Sequence, residues 1–178
     1  MRLKLLPKIK FLIKGFVFIL TFLYWGNTSF AQNITVPENI QAALLTKVLK
    51  YNPQTPKNKK IKILVVYNSS YQINKDEFIM GLGNSVAYKA IKPEDLEANI
   101  LGYHVVYFME GIQEGFDICK TFKVLSVTGS IQHVEQGDIS LGFGIENNKP
   151  KIFVNLTSLE KEGQSFSSDI LRIGKIFK

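Results

Sequence analysis

Apolar positions along this chain recur with a period that changes from segment to segment, and each change marks an element. Thr35 and Glu38 stand three apart, as a capping box requires, ahead of Ile40, Ala43, Leu44, Val48 and Leu49 on one helical face. Pro37 falls in the first turn, and Pro53 and Pro56 stop the helix near Asn52. After a polar loop, Ile61 to Tyr67 is an almost continuous apolar run, the pattern of a strand buried on both faces of a parallel sheet. Asn74 and Glu77 form a second capping box, with Ile73 and Phe78 spaced as a hydrophobic staple, and Gly81 and Gly83 end that helix. A strand over Val86 to Ile91 leads to Pro93, Glu94, Asp95 and Glu97, an acidic first turn that suits a helix dipole. Tyr103 to Met109 predicts a strand, Ile112 to Phe122 a helix and Lys123 to Val127 another strand.

The period then falls to two. Ile139, Leu141, Phe143 and Ile145 alternate with Ser140, Gly142, Gly144 and Glu146, so this strand has one apolar face and pairs antiparallel. Asn147 and Asn148 tolerate the positive φ of a two-residue turn, which sets Phe143 opposite Ile152, Leu141 opposite Val154, Ile139 opposite Leu156 and Ile145 opposite Pro150. A proline there places that part of the second strand at a sheet edge. The chain closes with a short helix from Leu156 to Glu162, a stop at Gly163, and a last helix begun by Ser167 with Phe166 stapled to Leu171. The fold class predicted is α/β: a mainly parallel, Rossmann-like sheet in three layers with flanking helices, a C-terminal antiparallel hairpin and a terminal helix.

The first residues follow a different logic. Arg2, Lys4, Lys8, Lys10 and Lys14 precede an apolar run from Gly15 to Trp25, which suits a signal core and falls short of the roughly 20 residues that span a bilayer. Ser29 and Ala31 put small residues before a cut between Ala31 and Gln32, so residues 1–31 read as a cleavable signal peptide and residues 32–178 as one domain in the periplasm, without a stable membrane anchor. Losing those five basic residues lowers the formal charge from +7 to +2 and removes the electrostatic case for nucleic-acid binding. One cysteine, Cys119, allows no internal disulfide.

Candidate chemistry is sparse. Cys119 follows Phe116 and Ile112 on the buried face of its helix and reads as a core residue. His104 lies in an apolar strand and His133 in a polar connector, without partners at metal-ligand spacing. The lysines between Asn52 and Lys60 read as a solvated lead into the strand rather than a phosphate site. None of the glycines completes a dinucleotide loop, so neither a cofactor, a metal nor a catalytic residue is expected. Gly142 and Gly144 leave one strand face bare; either the final helix lies there or a partner docks on the strip.

The strand Lys123 to Val127, the alternating run Ile139 to Ile145, the turn Glu146 to Lys149, the segment Ile152 to Leu156, the helix before Gly163 and Ser167, Ser168, Leu171 and Ile173 together resemble the YfiR family of exported bacterial regulators. The helix Ile40 to Tyr51 and the strand Ile61 to Tyr67 fall in the expected order, so the resemblance covers nearly all of residues 32–178. It implies a non-catalytic periplasmic repressor that contacts the periplasmic region of a membrane-bound signalling protein, a diguanylate cyclase or a sensor kinase, and so bears on cyclic-di-GMP signalling and biofilm formation. Family members often carry a tryptophan and proline after the first helix and paired cysteines, where this chain has Tyr51, Asn52, Pro53 and the single Cys119, so disulfide control does not carry over. A second copy of the chain is a further candidate partner. The rival reading is an exported small-ligand-binding protein with Asn68, Ser69 and Ser70 in the crevice at the strands' carboxyl ends.

Overall fold

The computed structural model describes residues 35–178; the expected signal segment and its cut between Ala31 and Gln32 lie outside them. Seven strands form one sheet: β1 (Ile61–Val66), β2 (Val86–Ile91), β3 (Val105–Phe108), β4 (Leu125–Thr128), β5 (Leu141–Glu146), β6 (Lys149–Asn155) and β7 (Lys175–Phe177), in the order β2-β1-β3-β4-β5-β6-β7. The first five are parallel, β6 runs antiparallel to β5, and β7 is parallel to β6. The α/β class and the parallel core are as the alternation of strand and helix predicts.

Both faces of the central strands are covered. Helices α1 (Glu38–Val48), α2 (Gln72–Leu82) and α7 (Ser168–Ile173) bury Leu45, Phe78 and Ile170 against Ile63, Val65, Val105 and Leu125. On the other face α3 (Leu96–Asn99), α4 (Phe116–Phe122) and α5 (Ile131–Glu135) cover Leu64, Val66, Val106 and Phe108. Helix α6 (Leu156–Lys161) follows β6 directly, with Asn155 accepting a 3.0 Å hydrogen bond from the Ser158 amide as its cap.

The hairpin forms in the predicted register. Leu141 faces Val154, Phe143 faces Ile152 and Ile145 faces Pro150, around Asn147 and Asn148 at φ +52° and +59°. Pairing stops one step short of Ile139 and Leu156, because Leu156 already starts α6. Since β7 pairs only with Phe153–Asn155, the stretch of β6 around Pro150 is at the sheet edge.

Helix starts and faces depart from expectation. Helix α1 buries Gln41, Ala42, Leu45 and Val48, while Ile40 is 41% exposed. The buried face is turned by about one residue, roughly 100°, because Gln41 is drawn inward: its amide donates to the Val36 carbonyl at 2.6 Å and its oxygen accepts from the Tyr107 hydroxyl. Pro37, not Thr35, stands at the N-cap, and no side chain caps this end. Helix α2 begins at Gln72 behind a 3-10 turn that Asn68 caps, accepting from the Ser70 amide at 3.0 Å. Asn74 is therefore inside the helix and donates to Glu38 across the α1–α2 contact at 2.6 Å, and Ile73, 75% exposed, makes no staple. Helix α4 starts late, after Gly115 at φ +86°. Helix α5 and strand β7 are elements that the sequence pattern did not predict.

Gly81 does not end α2 but lies within it, where α1 crosses. A Cβ at Gly81 would stand 2.6 Å from the Asn39 carbonyl oxygen and 2.7 Å from its Cα, so the helices approach at this point only because a side chain is missing. Alanine gains about 1 kcal/mol in helix propensity over glycine, but overpacking against a backbone costs about 1–3 kcal/mol. Because the obstacle is rigid backbone, the packing cost outweighs the propensity gain. Gly81→Ala is expected to lower the urea midpoint of unfolding, where the same change on an exposed helix would raise it.

Candidate functional site

In a sheet of order 2-1-3-4-5, ligands bind outside the carboxyl ends of β1 and β3, where the connections diverge to opposite faces. That crevice is filled by the chain itself. Gly111, at φ +82°, follows β3, and a Cβ on it would lie 2.5 Å from the Tyr71 ring, so Tyr71 rests directly on this backbone. Asn68 donates to the Gly111 carbonyl at 3.5 Å and accepts from Ser70, while Ser69 accepts from Lys92 at 2.7 Å. Of the three polar residues expected in a ligand crevice, Asn68 and Ser69 are thus already hydrogen-bonded through their side chains, and exposed Ser70 contributes its backbone amide.

The glycine strip is covered as well, and not by the final helix. Gly142 and Gly144 are buried beneath α5: a Cβ at Gly142 would meet a Val134 methyl at 2.7 Å, and one at Gly144 would collide with Ile131. Val134 and Ile131 thus lie over the strip. His104 accepts from the Lys62 amide at 2.9 Å, and burial keeps its imidazole below the usual pKa. His133 lies 3.1 Å from Asp138, against the Phe116 ring. Cys119 is fully buried, and burial pushes its thiol well above the ordinary range. These groups are not brought together, and among the described residues no cluster of His, Cys, Asp or Glu is placed to hold a metal ion.

The amino-terminal edge of the parallel strands is open. There the end of α1 and its 3-10 extension (Leu49–Tyr51), the loop of residues 52–60, the first residues of β1 and β2 and the segment before α7 enclose a groove of about 800 Å³. Leu49, Val86 and Phe166 are buried apolar residues lining it, and Tyr51, 46% exposed, stands at its rim. Lys47, Lys50, Lys57 and Lys59 line it too, against one carboxylate, Asp169, which lies 3.5 Å from Arg172. One wall is pinned across the fold: buried Asn52 donates to Gln164 at 3.0 Å, Gln54 exchanges hydrogen bonds with Ser165, and the Ser167 amide donates to the Tyr51 carbonyl at 3.0 Å.

A family model described as YfiR/HmsC-like matches residues 38–175. The chain belongs to the YfiR/HmsC-like family. The match begins at the first residue of α1 and ends at the first of β7, so every wall of the groove in this YfiR/HmsC-like chain lies inside the family's extent. No curated protein matches the sequence. Among solved structures the chain is similar to the ABC domain in complex with L-Trp from Streptococcus pneumoniae, with 10% identity and a TM-score of 0.58 over 80% of this chain and 60% of that one. It is also similar to a conserved domain protein from Vibrio cholerae, at 13% identity and a TM-score of 0.55, over 82% of this chain and 61% of the other. The YfiR/HmsC-like chain thus spans about three fifths of these two proteins, and the likeness is one of fold.

One buried acid had no signal in the sequence. Glu162, fully buried at the end of α6, accepts from the Ser126 amide at 3.0 Å and from the Ser126 hydroxyl, whose oxygen in turn accepts from the Ser140 amide at 2.9 Å. It reinforces a short junction, since β4 and β5 pair through only Val127–Leu141 and Thr128–Gly142. Burial raises its pKa to about 7, against the Ser126 hydrogen bonds that pull it down. The folded protein therefore keeps a proton that the unfolded chain gives up above pH 4.5. Stability is expected to fall as pH rises from about 4.5 to about 7, by about 3 kcal/mol from this group, and to level off above. Glutamine keeps one accepting oxygen and puts an NH2 group in place of the acid O–H, with no charge to bury. Glu162→Gln should flatten the dependence and raise the urea midpoint at pH 8. The Cys119 thiol should resist maleimide at pH 7.5 until denaturant opens the core, whereas early labelling of the native protein would contradict its burial.

Proposed function

We propose that this chain is a non-catalytic exported regulator, which binds the periplasmic region of a membrane-bound signalling protein, a diguanylate cyclase or a sensor kinase, and holds it inactive. Membership of the YfiR/HmsC-like family over residues 38–175 carries this reading. The basic segment and short apolar run ahead of Gln32 support export. The pinned groove at the amino-terminal edge supports action by binding, because an interaction surface held in shape beforehand loses less entropy when it docks.

A small-ligand carrier draws on a different observation, the groove's volume of about 800 Å³, which lies within the range of small-molecule sites. In the crevice where this topology ordinarily holds a ligand, Tyr71 rests on Gly111, and that weighs for the regulator. Affinity-tagged chain expressed in its native host and recovered from detergent-solubilised envelopes should bring down an integral membrane signalling protein. Deleting its gene should raise cyclic-di-GMP where that protein is a cyclase, or kinase output where it is a kinase. A chain that purifies alone, with a large thermal shift on one metabolite of a panel, would replace this reading with the carrier.

A further inference from the structure

We infer that the groove at the amino-terminal edge is the face that meets the membrane protein, and that the partner presents to it an acidic segment bearing an aliphatic or aromatic anchor. The inference rests on the regulator reading and adds to it a place and a partner chemistry. Lys47 and Lys50 stand one turn apart at the end of α1, and Lys57 and Lys59 come from the loop that forms another part of the lining, so positive charge is distributed over two elements. Asp169, the one carboxylate among the lining residues, already faces Arg172 at 3.5 Å. The groove therefore carries uncompensated positive charge although the chain from Gln32 onward is nearly neutral.

Lysine is a strongly hydrated point charge on a flexible stem, without the planar fork with which arginine grips a single carboxylate or phosphate. Four lysines spread over two elements match several separated carboxylates, as on a length of polypeptide, better than one small anion. Exposed Pro53, half-buried Ile61 and Tyr51 at the rim are the apolar lining residues that would stay wet beneath a plain polyanion, and Tyr51 is the amphipathic ring that interfaces favour. An acidic segment with an apolar side chain satisfies both parts of the surface, and the lysines would speed its approach in a salt-dependent way.

Site-specific photocrosslinking in the native host, with the full chain, tests this. Benzoylphenylalanine is placed at Tyr51, and for comparison at Ile73 and Leu101, which are 75% and 76% exposed and lie outside the groove. The expected result is an adduct with an integral membrane protein that is about fivefold or more stronger from Tyr51, with the crosslinked peptide acidic by mass spectrometry. Lys47→Glu with Lys57→Glu should cut it about fivefold, while Lys149→Glu with Lys151→Glu, the same charge change on β6, should not. Membrane adducts from Ile73 or Leu101 but not Tyr51 would leave the regulator standing and remove the groove. Adducts from no position would remove both. A Tyr51 adduct with a second copy of the chain or with a neutral or basic peptide would overturn the inference, as would equal loss in both charge-reversed variants.

Discussion

The controlling constraint is that β1, β3 and β4 are buried on both faces. Every residue of β3 and β4 is buried, and so are the last four of β1. Such strands have no face to offer to anything outside, because each requires a helical layer above and below. These central strands can then contribute to a binding surface only where they end. At the carboxyl edge Tyr71 sits on Gly111 and the neighbouring polar groups satisfy one another. The amino edge is left, and there the helices stop short and the segment leading into α7 supplies one wall.

Buried polar groups decide how the layers are registered against the sheet. Gln41 ties α1 to Tyr107 in the centre of β3, and Phe78 of α2 stacks on the same tyrosine ring at 3.8 Å, so both helices of the first layer are referenced to one side chain. Asn155 donates to the Val134 carbonyl at 2.9 Å while capping α6, which links α5 to α6 across the end of β6. Apolar packing supplies the larger share of stability but is tolerant of small rotations. A paired buried amide is not, since losing its partner costs about 1–3 kcal/mol.

Legibility in the sequence followed how local each determinant is. The register of the hairpin was readable because alternation and an Asn-Asn turn act within a dozen positions. β1 was readable because a strand buried on both faces leaves a solid apolar run. The face of α1 is not legible from spacing, because Gln41 is buried by a tyrosine 66 positions away, which no count of apolar spacing reveals. β7 is three residues long and exists by pairing with β6, while α5 spans five residues of mixed polarity that serve as a lid on two glycines. The family resemblance was visible in the order of the C-terminal elements. The groove was not, because its wall joins Asn52 to Gln164, 112 positions apart, and its lysines in isolation look like any solvated loop.

One short segment connects the titrating group to the groove. Glu162 bonds Ser126 at the β4–β5 junction; two residues on, Gln164 bonds both Asn52 and the Lys123 carbonyl; Ser165 bonds Gln54; and the Ser167 amide bonds Tyr51. Over six residues a single backbone stretch is held by the sheet at one end and forms the groove wall at the other. Linkage requires that whatever protonation does to the wall, occupancy of the groove does in return to the proton, by the same free energy. The size of that exchange is about 1.4 kcal/mol for each unit by which occupancy moves the Glu162 pKa. It depends on how rigidly residues 162–167 are held, and the hydrogen bonds that shape the groove wall are the ones that hold them.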